Sequence, residues 1–163
     1  MLFQSREPGP TPSPNPIPSP NPSPSPIQPP MPVPTTYKAV DGSYIFNILN
    51  EKLPSAPHIY LSDNYYELCS KADYQAFLAW DKTNEYVYAK EVYDCDDFTY
   101  RLTGQLSIPE WSQIADGTIW TEAHAFKLFI DDTGKLWFVE PQSDIMFDTW
   151  QPYFGNEIQF IEM

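Results

Sequence analysis

The sequence predicts an α+β domain in which N-terminal helices pack on a small antiparallel sheet, preceded by an extended proline-rich arm. Three observations lead there. Proline recurs at nearly every second position from Pro8 to Pro34, which keeps that stretch out of any core. Apolar residues between Ile45 and Leu106 recur at helical spacing. Beyond Gly117 the pattern turns to apolar and aromatic runs separated by turn residues, and helices followed by strands argue for this fold class with an antiparallel sheet.

The arm spans residues 1–36, and the domain occupies residues 37–163. Proline fixes φ and removes the backbone donor, so the arm reads as polyproline II, a semi-rigid spacer of roughly 80 Å or a docking strip for an aromatic groove. Met1 to Arg6 holds no apolar run of secretory length. No window approaches the roughly 20 apolar residues of a membrane span.

Within the domain, Asp41-Gly42-Ser43 opens a short helix through Ile45, Ile48 and Leu49 that Pro54 stops. His58 to Leu61 is a brief apolar run. Ser62 or Asp63 is expected to cap a longer helix carrying Tyr65, Leu68, Cys69, Ala72, Ala76, Phe77 and Trp80. Asp81 to Asn84 reads as a turn, and Glu85 to Val92 alternates like a strand. Asp94 caps a helix with Phe98, Leu102 and Leu106 along one stripe, ending near Gly104 or soon after. Strands follow over Thr118–Ile130, Lys135–Glu140 and Glu157–Ile161.

The formal net charge of −13 disfavours nucleic acid and anionic membrane surfaces, which need Lys and Arg to replace counterions. The acidity favours solubility and hard divalent cations. Two cysteines make no disulfide framework, so Cys69 and Cys95 are taken as free thiols. Cys69, on an apolar helix face, reads as structural, and His58 as incidental.

The loop Asp131-Asp132-Thr133-Gly134 permits a geometric test. A three-residue turn closed by a left-handed Gly134 sets Asp131 opposite Lys135, so paired residue numbers sum to 266. His124 then lies opposite Gln142 and Phe126 opposite Glu140, and all four share one face. A two- or four-residue loop reverses that parity.

Cys95, one residue past its N-cap, sits where free backbone N–H groups and the helix dipole favour a thiolate and donate to an oxyanion. A thiol at a helix start, with an imidazole and a polar residue on neighbouring strands, is the layout of a papain-like or transglutaminase-like hydrolase. The expected roles are Cys95 nucleophile, His124 general base, Glu140 orienting group and Gln142 supporting group. Asp94, Asp96 and Asp97 oppose the thiolate unless they cap the helix or hold Ca²⁺. Trp111 and Trp120 are candidates to line a cleft.

The phrases Asp94-Cys95-Asp96-Asp97-Phe98, Ala123-His124-Ala125-Phe126 and Gly134 to Gln142 resemble the papain-like C-terminal domain of a mushroom agglutinin and related proteins encoded by bacteriophages. The resemblance covers roughly Tyr65–Phe147 and leaves the arm outside. It implies a calcium-dependent cysteine protease with a Cys95–His124–Glu140 triad, acting on a protein or peptide. The agglutinin's sugar-binding module has no counterpart here. The phage relatives imply a virion or phage-encoded protein. The alternative expectation is a catalytically silent structural or adaptor subunit whose arm contacts partner subunits of an assembly. A third is an amide-cross-linking transferase using the same thiol.

Overall fold

The computed structural model describes residues 29–155 and 157–163. The arm from Pro8 to Gln28 therefore lies outside the described residues.

Asp41 accepts the Ser43 N–H and starts α1 (Gly42–Lys52), which turns Ile45 and Leu49 inward. Before it lies β1 (Lys38–Asp41), paired antiparallel with β3 (Tyr65–Leu68) in a two-stranded sheet. The two-residue β2 (Ile59–Tyr60) runs parallel to the final strand β8 (Ile158–Glu162). Ser70 then caps α2 (Lys71–Trp80), and α3 runs from Cys95 to Leu106. The main sheet is completed by β4 (Asp116–Thr121), β5 (Ala125–Ile130), β6 (Leu136–Glu140) and β7 (Ile145–Phe147). Its six strands run in the order β2-β8-β4-β5-β6-β7.

Every residue of β5 is buried because the sheet is covered on both sides. Phe126, Leu128 and Ile130 pack with Ile45 and Leu49 of α1. Phe129 and Val139 instead join Tyr74 and Phe77 of α2 and Leu102 of α3. Lys127 points to this second side, where it pairs with the buried Asp116 at 2.6 Å and bonds the Thr103 hydroxyl of α3.

This is not the expected papain-like or transglutaminase-like packing of helices on a small sheet. The described residues contain eight strands in two sheets and three α-helices, with the sheets dominant. The error began at Tyr65, Leu68, Cys69 and Ala72, whose spacing mimics a helix. Residues 65–68 are a strand because they pair with β1, and Ser70, rather than Ser62 or Asp63, is the N-cap. Glu85 to Val92 alternates but finds no partner strand among the described residues, where an isolated Ala89–Tyr93 bridge forms instead. Thr118–Ile130 is two strands broken at a turn, and β7 was not anticipated.

Candidate functional site

The β5–β6 hairpin has the three-residue loop. Gly134 has φ +83°, its N–H donates to Asp131 O, and the pairs Lys127–Val139, Leu128–Phe138 and Ile130–Leu136 follow the expected register. The Asp131 carboxylate builds the turn by accepting the N–H groups of Thr133 and Lys135 and the Trp137 indole.

His124 is not within a strand. It ends the β4–β5 turn, where the Thr121 hydroxyl accepts the Ala123 and His124 N–H groups, and the Thr121 N–H donates to His124 O at 2.9 Å. Its Nε2 lies 2.7 Å from Glu140 Oε2, and both side chains are about nine-tenths buried. Glu140 is held in turn by the Gln142 N–H at 3.3 Å. Gln142 thus contributes a backbone donor from the turn after β6, and its place opposite His124 in the ladder is not realised because β6 ends at Glu140. The imidazole stacks on Phe126 and Phe154 and meets the edge of Tyr153. Phe154 and Tyr153 come from a 3-10 turn, and sequence spacing gave no signal for them.

Cys95 opens α3 as expected. The Thr99 hydroxyl lies within hydrogen-bond distance of both Cys95 O and Ala125 O, which ties the first turn of α3 to the strand beginning beside His124. The thiol therefore lies at the residue next to the imidazole, and the Ala125 N–H reaches its sulfur. Its electrostatics depart from the expected activation. Burial raises the thiol pKa, with Asp94 and Asp96 adding to the rise and the N–H groups of Ala125 and Asp96 opposing it.

The acidic cluster is used mainly by the helix. Asp94 and Asp97 form a reciprocal capping box, and Asp94 also accepts the Glu91 N–H. Asp94 and Asp96 hydrogen-bond to each other, which holds Asp94 below the ordinary carboxylate range and Asp96 above it. Asp94, Cys95 and Asp96 bring ligand atoms within 4.8 Å of one another. Asp94 bonds Asp96 and caps backbone, and Asp97 is spent on the Asp94 N–H, which makes the cluster a poor donor set for Ca²⁺.

A second carboxylate pair escaped the sequence reading. Asp144, at φ 57° in the turn after Glu140, faces Asp81 at the end of α2. Burial first, then the Asp81 charge, pushes its carboxyl up to about 7. Asn84 donates to one Asp144 oxygen at 2.6 Å. Among the described residues, the other oxygen and the Thr83 hydroxyl are buried without hydrogen-bond partners.

Cys69 is buried with its thiol pushed up to about 12, chiefly by burial. His58 lies just before β2, where its carbonyl accepts the Ile161 N–H. Trp111 and Trp120 do not line a cleft at His124. Trp111 is core and borders a cavity of about 330 Å³ beside Lys127, while Trp120 stacks on Phe160.

No protein-family description matches the chain, and no curated protein does. Solved structures do. A chain described as a PSL1a–E64 complex matches with a TM-score of 0.63 and 17% identity over 77% of this chain and 50% of that one. Polyporus squamosus lectin bound to Neu5Acα2-6Galβ1-4GlcNAc matches with a TM-score of 0.60 and 16% identity over 77% and 49%. The chain thus shares a fold with part of a fungal lectin and spans about half its length. The resemblance to a mushroom agglutinin holds at that level. One neighbour carries the name of a lectin, which conflicts with the labels hydrolase, cysteine protease and papain-like, and nothing among them bears on phage, virion or calcium.

Proposed function

We propose that Cys95 is a nucleophile acting on an amide carbonyl, with His124 as general base and Glu140 holding the imidazole. The observation that carries this is the 2.7 Å His124–Glu140 contact at the residue adjoining the Cys95 thiol. Glu140 engages Nε2, leaving Nδ1 to take the thiol proton. The sulfur bonds to the carbonyl carbon and the carbonyl oxygen becomes an oxyanion, with the Cys95 N–H the natural donor. The C–N bond then breaks as the imidazolium returns its proton to the departing amine. Water releases the acyl group, and the thiol is restored. Because burial disfavours the thiolate, base catalysis at attack is needed. A structure of one neighbour is a complex with E64, an epoxide reagent for thiols, and this supports the reading.

The test is E64 and iodoacetamide modification located by mass spectrometry on the full chain. Cys95 should be modified at neutral pH, at least tenfold more slowly in His124→Ala, while buried Cys69 stays intact. An unmodified Cys95 in folded protein would make the chain the silent adaptor instead. Cleaved peptides would separate hydrolysis from cross-linking.

A second reading, glycan binding, rests on a surface row of rings. Tyr60, Phe160, Trp120 and Tyr100 follow one another at centroid spacings of 6.3, 5.6 and 5.6 Å, and both tyrosines are exposed. Such faces stack on sugars. Titration with the sialylated trisaccharide named for the lectin neighbour should perturb the Trp120 indole signal, and an unmoved signal removes this reading.

A further inference from the structure

The segment that joins the proline-rich arm to the domain is seated on two tryptophans. The Trp80 indole N–H donates to Pro29 O at 2.8 Å, and the Trp111 indole N–H donates to Pro32 O at 2.9 Å. Met31 packs against the cluster formed by Tyr74, Phe77 and Trp111, and Pro34 is buried. The Thr35 hydroxyl then bonds Asp73, so the segment runs antiparallel to α2, from its last residue to its first turn.

The spacing matters. Polyproline II has three residues per turn and rises about 9 Å per turn, so carbonyls at Pro29 and Pro32 present the same edge one turn apart. The receiving row matches this length: Phe77 lies between the two indoles, at 5.8 Å from Trp80 and 4.6 Å from Trp111. Asp73, Phe77 and Trp80 fall on one stripe of α2, which aligns the row with the helix. A polyproline II backbone makes no internal hydrogen bonds, so its carbonyls are free to accept, and a rigid segment loses little entropy on docking.

We infer that the α2–Trp111 surface is a polyproline II recognition site whose ligand class is a proline-rich peptide, occupied in cis by Pro29–Pro34 of this chain. It reads backbone carbonyls and apolar rings, which explains why an uncharged segment suffices. The site anchors the arm, so the prolines upstream start from a fixed point on the domain. A proline-rich peptide in trans gains access only when the cis segment is released.

The experiment uses the full chain with residues 29–34 replaced by alternating Gly and Ser, and follows hydrogen exchange at the indole N–H signals. Trp80 and Trp111 should exchange about tenfold faster than in the native chain, the loss expected for a hydrogen bond. Trp137 and Trp150, bonded to Asp131 and to Gly155 O, should stay protected and report an intact fold. A synthetic peptide of residues 27–36 added to the variant should restore protection at Trp80 and Trp111. The native chain should not respond to it. Unchanged exchange at both indoles, or a peptide without effect on a variant whose Trp137 and Trp150 remain protected, overturns the proposal. If the variant loses protection everywhere, Trp80→Phe in the native chain replaces it. This keeps the ring and removes one donor, so faster exchange at Trp111 is expected and no change counts against cis docking.

Discussion

His124 Nε2 and Glu140 Oε2 sit 2.7 Å apart on elements joined by a three-residue hairpin, with both side chains largely shielded from water. On the proposed function, that contact leaves Nδ1 of the imidazole for Cys95. Glu140→Gln keeps the shape but removes the charge that stabilises an imidazolium. Turnover by Cys95 should fall by about 10²- to 10⁴-fold with little loss of melting temperature. Parallel assays of peptide cleavage and thermal unfolding would check both halves.

The raised thiol pKa of Cys95 makes a prediction of definite sign. Burial, then Asp94 and Asp96, disfavour the thiolate. Beyond the His124-assisted rate at neutral pH, alkylation of Cys95 by iodoacetamide should therefore climb again above the pH of an ordinary thiol. Asp96→Asn should move that profile to lower pH, since it removes negative charge while leaving the Asp94–Asp97 capping box in place. A profile unmoved by the substitution would show that burial alone sets the thiol.

Asp144 gives the fold a pH dependence. Its folded pKa of about 7 lies above the usual value of 3.8, so the protonated form is favoured by the fold. The stability contributed by this group is complete below about pH 4 and is lost as pH rises through 7. Asp144→Asn keeps an acceptor for Asn84 and suits the left-handed backbone, so it should flatten this part of the stability profile between pH 4 and 8 and stabilise most at pH 8.

Lys127 is 1% exposed and bridges Asp116 to α3. Lys127→Met leaves Asp116 buried with only the Tyr74 hydroxyl, at a cost of about 3–5 kcal/mol. Urea denaturation would measure it. Lys127→Met with Asp116→Asn should recover much of the loss.

Gly134 fixes the register that joins His124 to Glu140. At φ +83° an alanine is strained, and its Cβ meets the Tyr44 hydroxyl at 2.6 Å. Gly134→Ala should cost about 1–2 kcal/mol. If the strain opens the loop, the His124–Glu140 contact is lost as well, seen as a fall in Cys95 reactivity larger than the change in stability explains.

What was legible in the sequence was local. Asp41 and Asp94 name their helices because a cap needs only residues a few positions away. Gly134 names the hairpin because one left-handed residue sets the loop length. Parity from that loop predicted a shared face for His124 and Glu140, whereas His124 reaches Glu140 from the end of the β4–β5 turn, outside the ladder. Tyr65–Leu68 was misread because four residues carry too little period to separate a strand from the helix start that follows it. Glu85–Val92 failed for the opposite reason: its alternation was strand-like, but a strand exists only where another backbone meets it.

The sequence by itself determined the caps, the turn and the order of Cys95, His124 and Glu140, since these depend on neighbours along the chain. Only the tertiary structure decided that β1 would take β3 as a partner, that Asp144 would face Asp81, and that Trp80 and Trp111 would receive Pro29 and Pro32. Those pairings join residues distant along the chain. Their energy comes from burial and hydrogen bonds that exist only once both sides are in place.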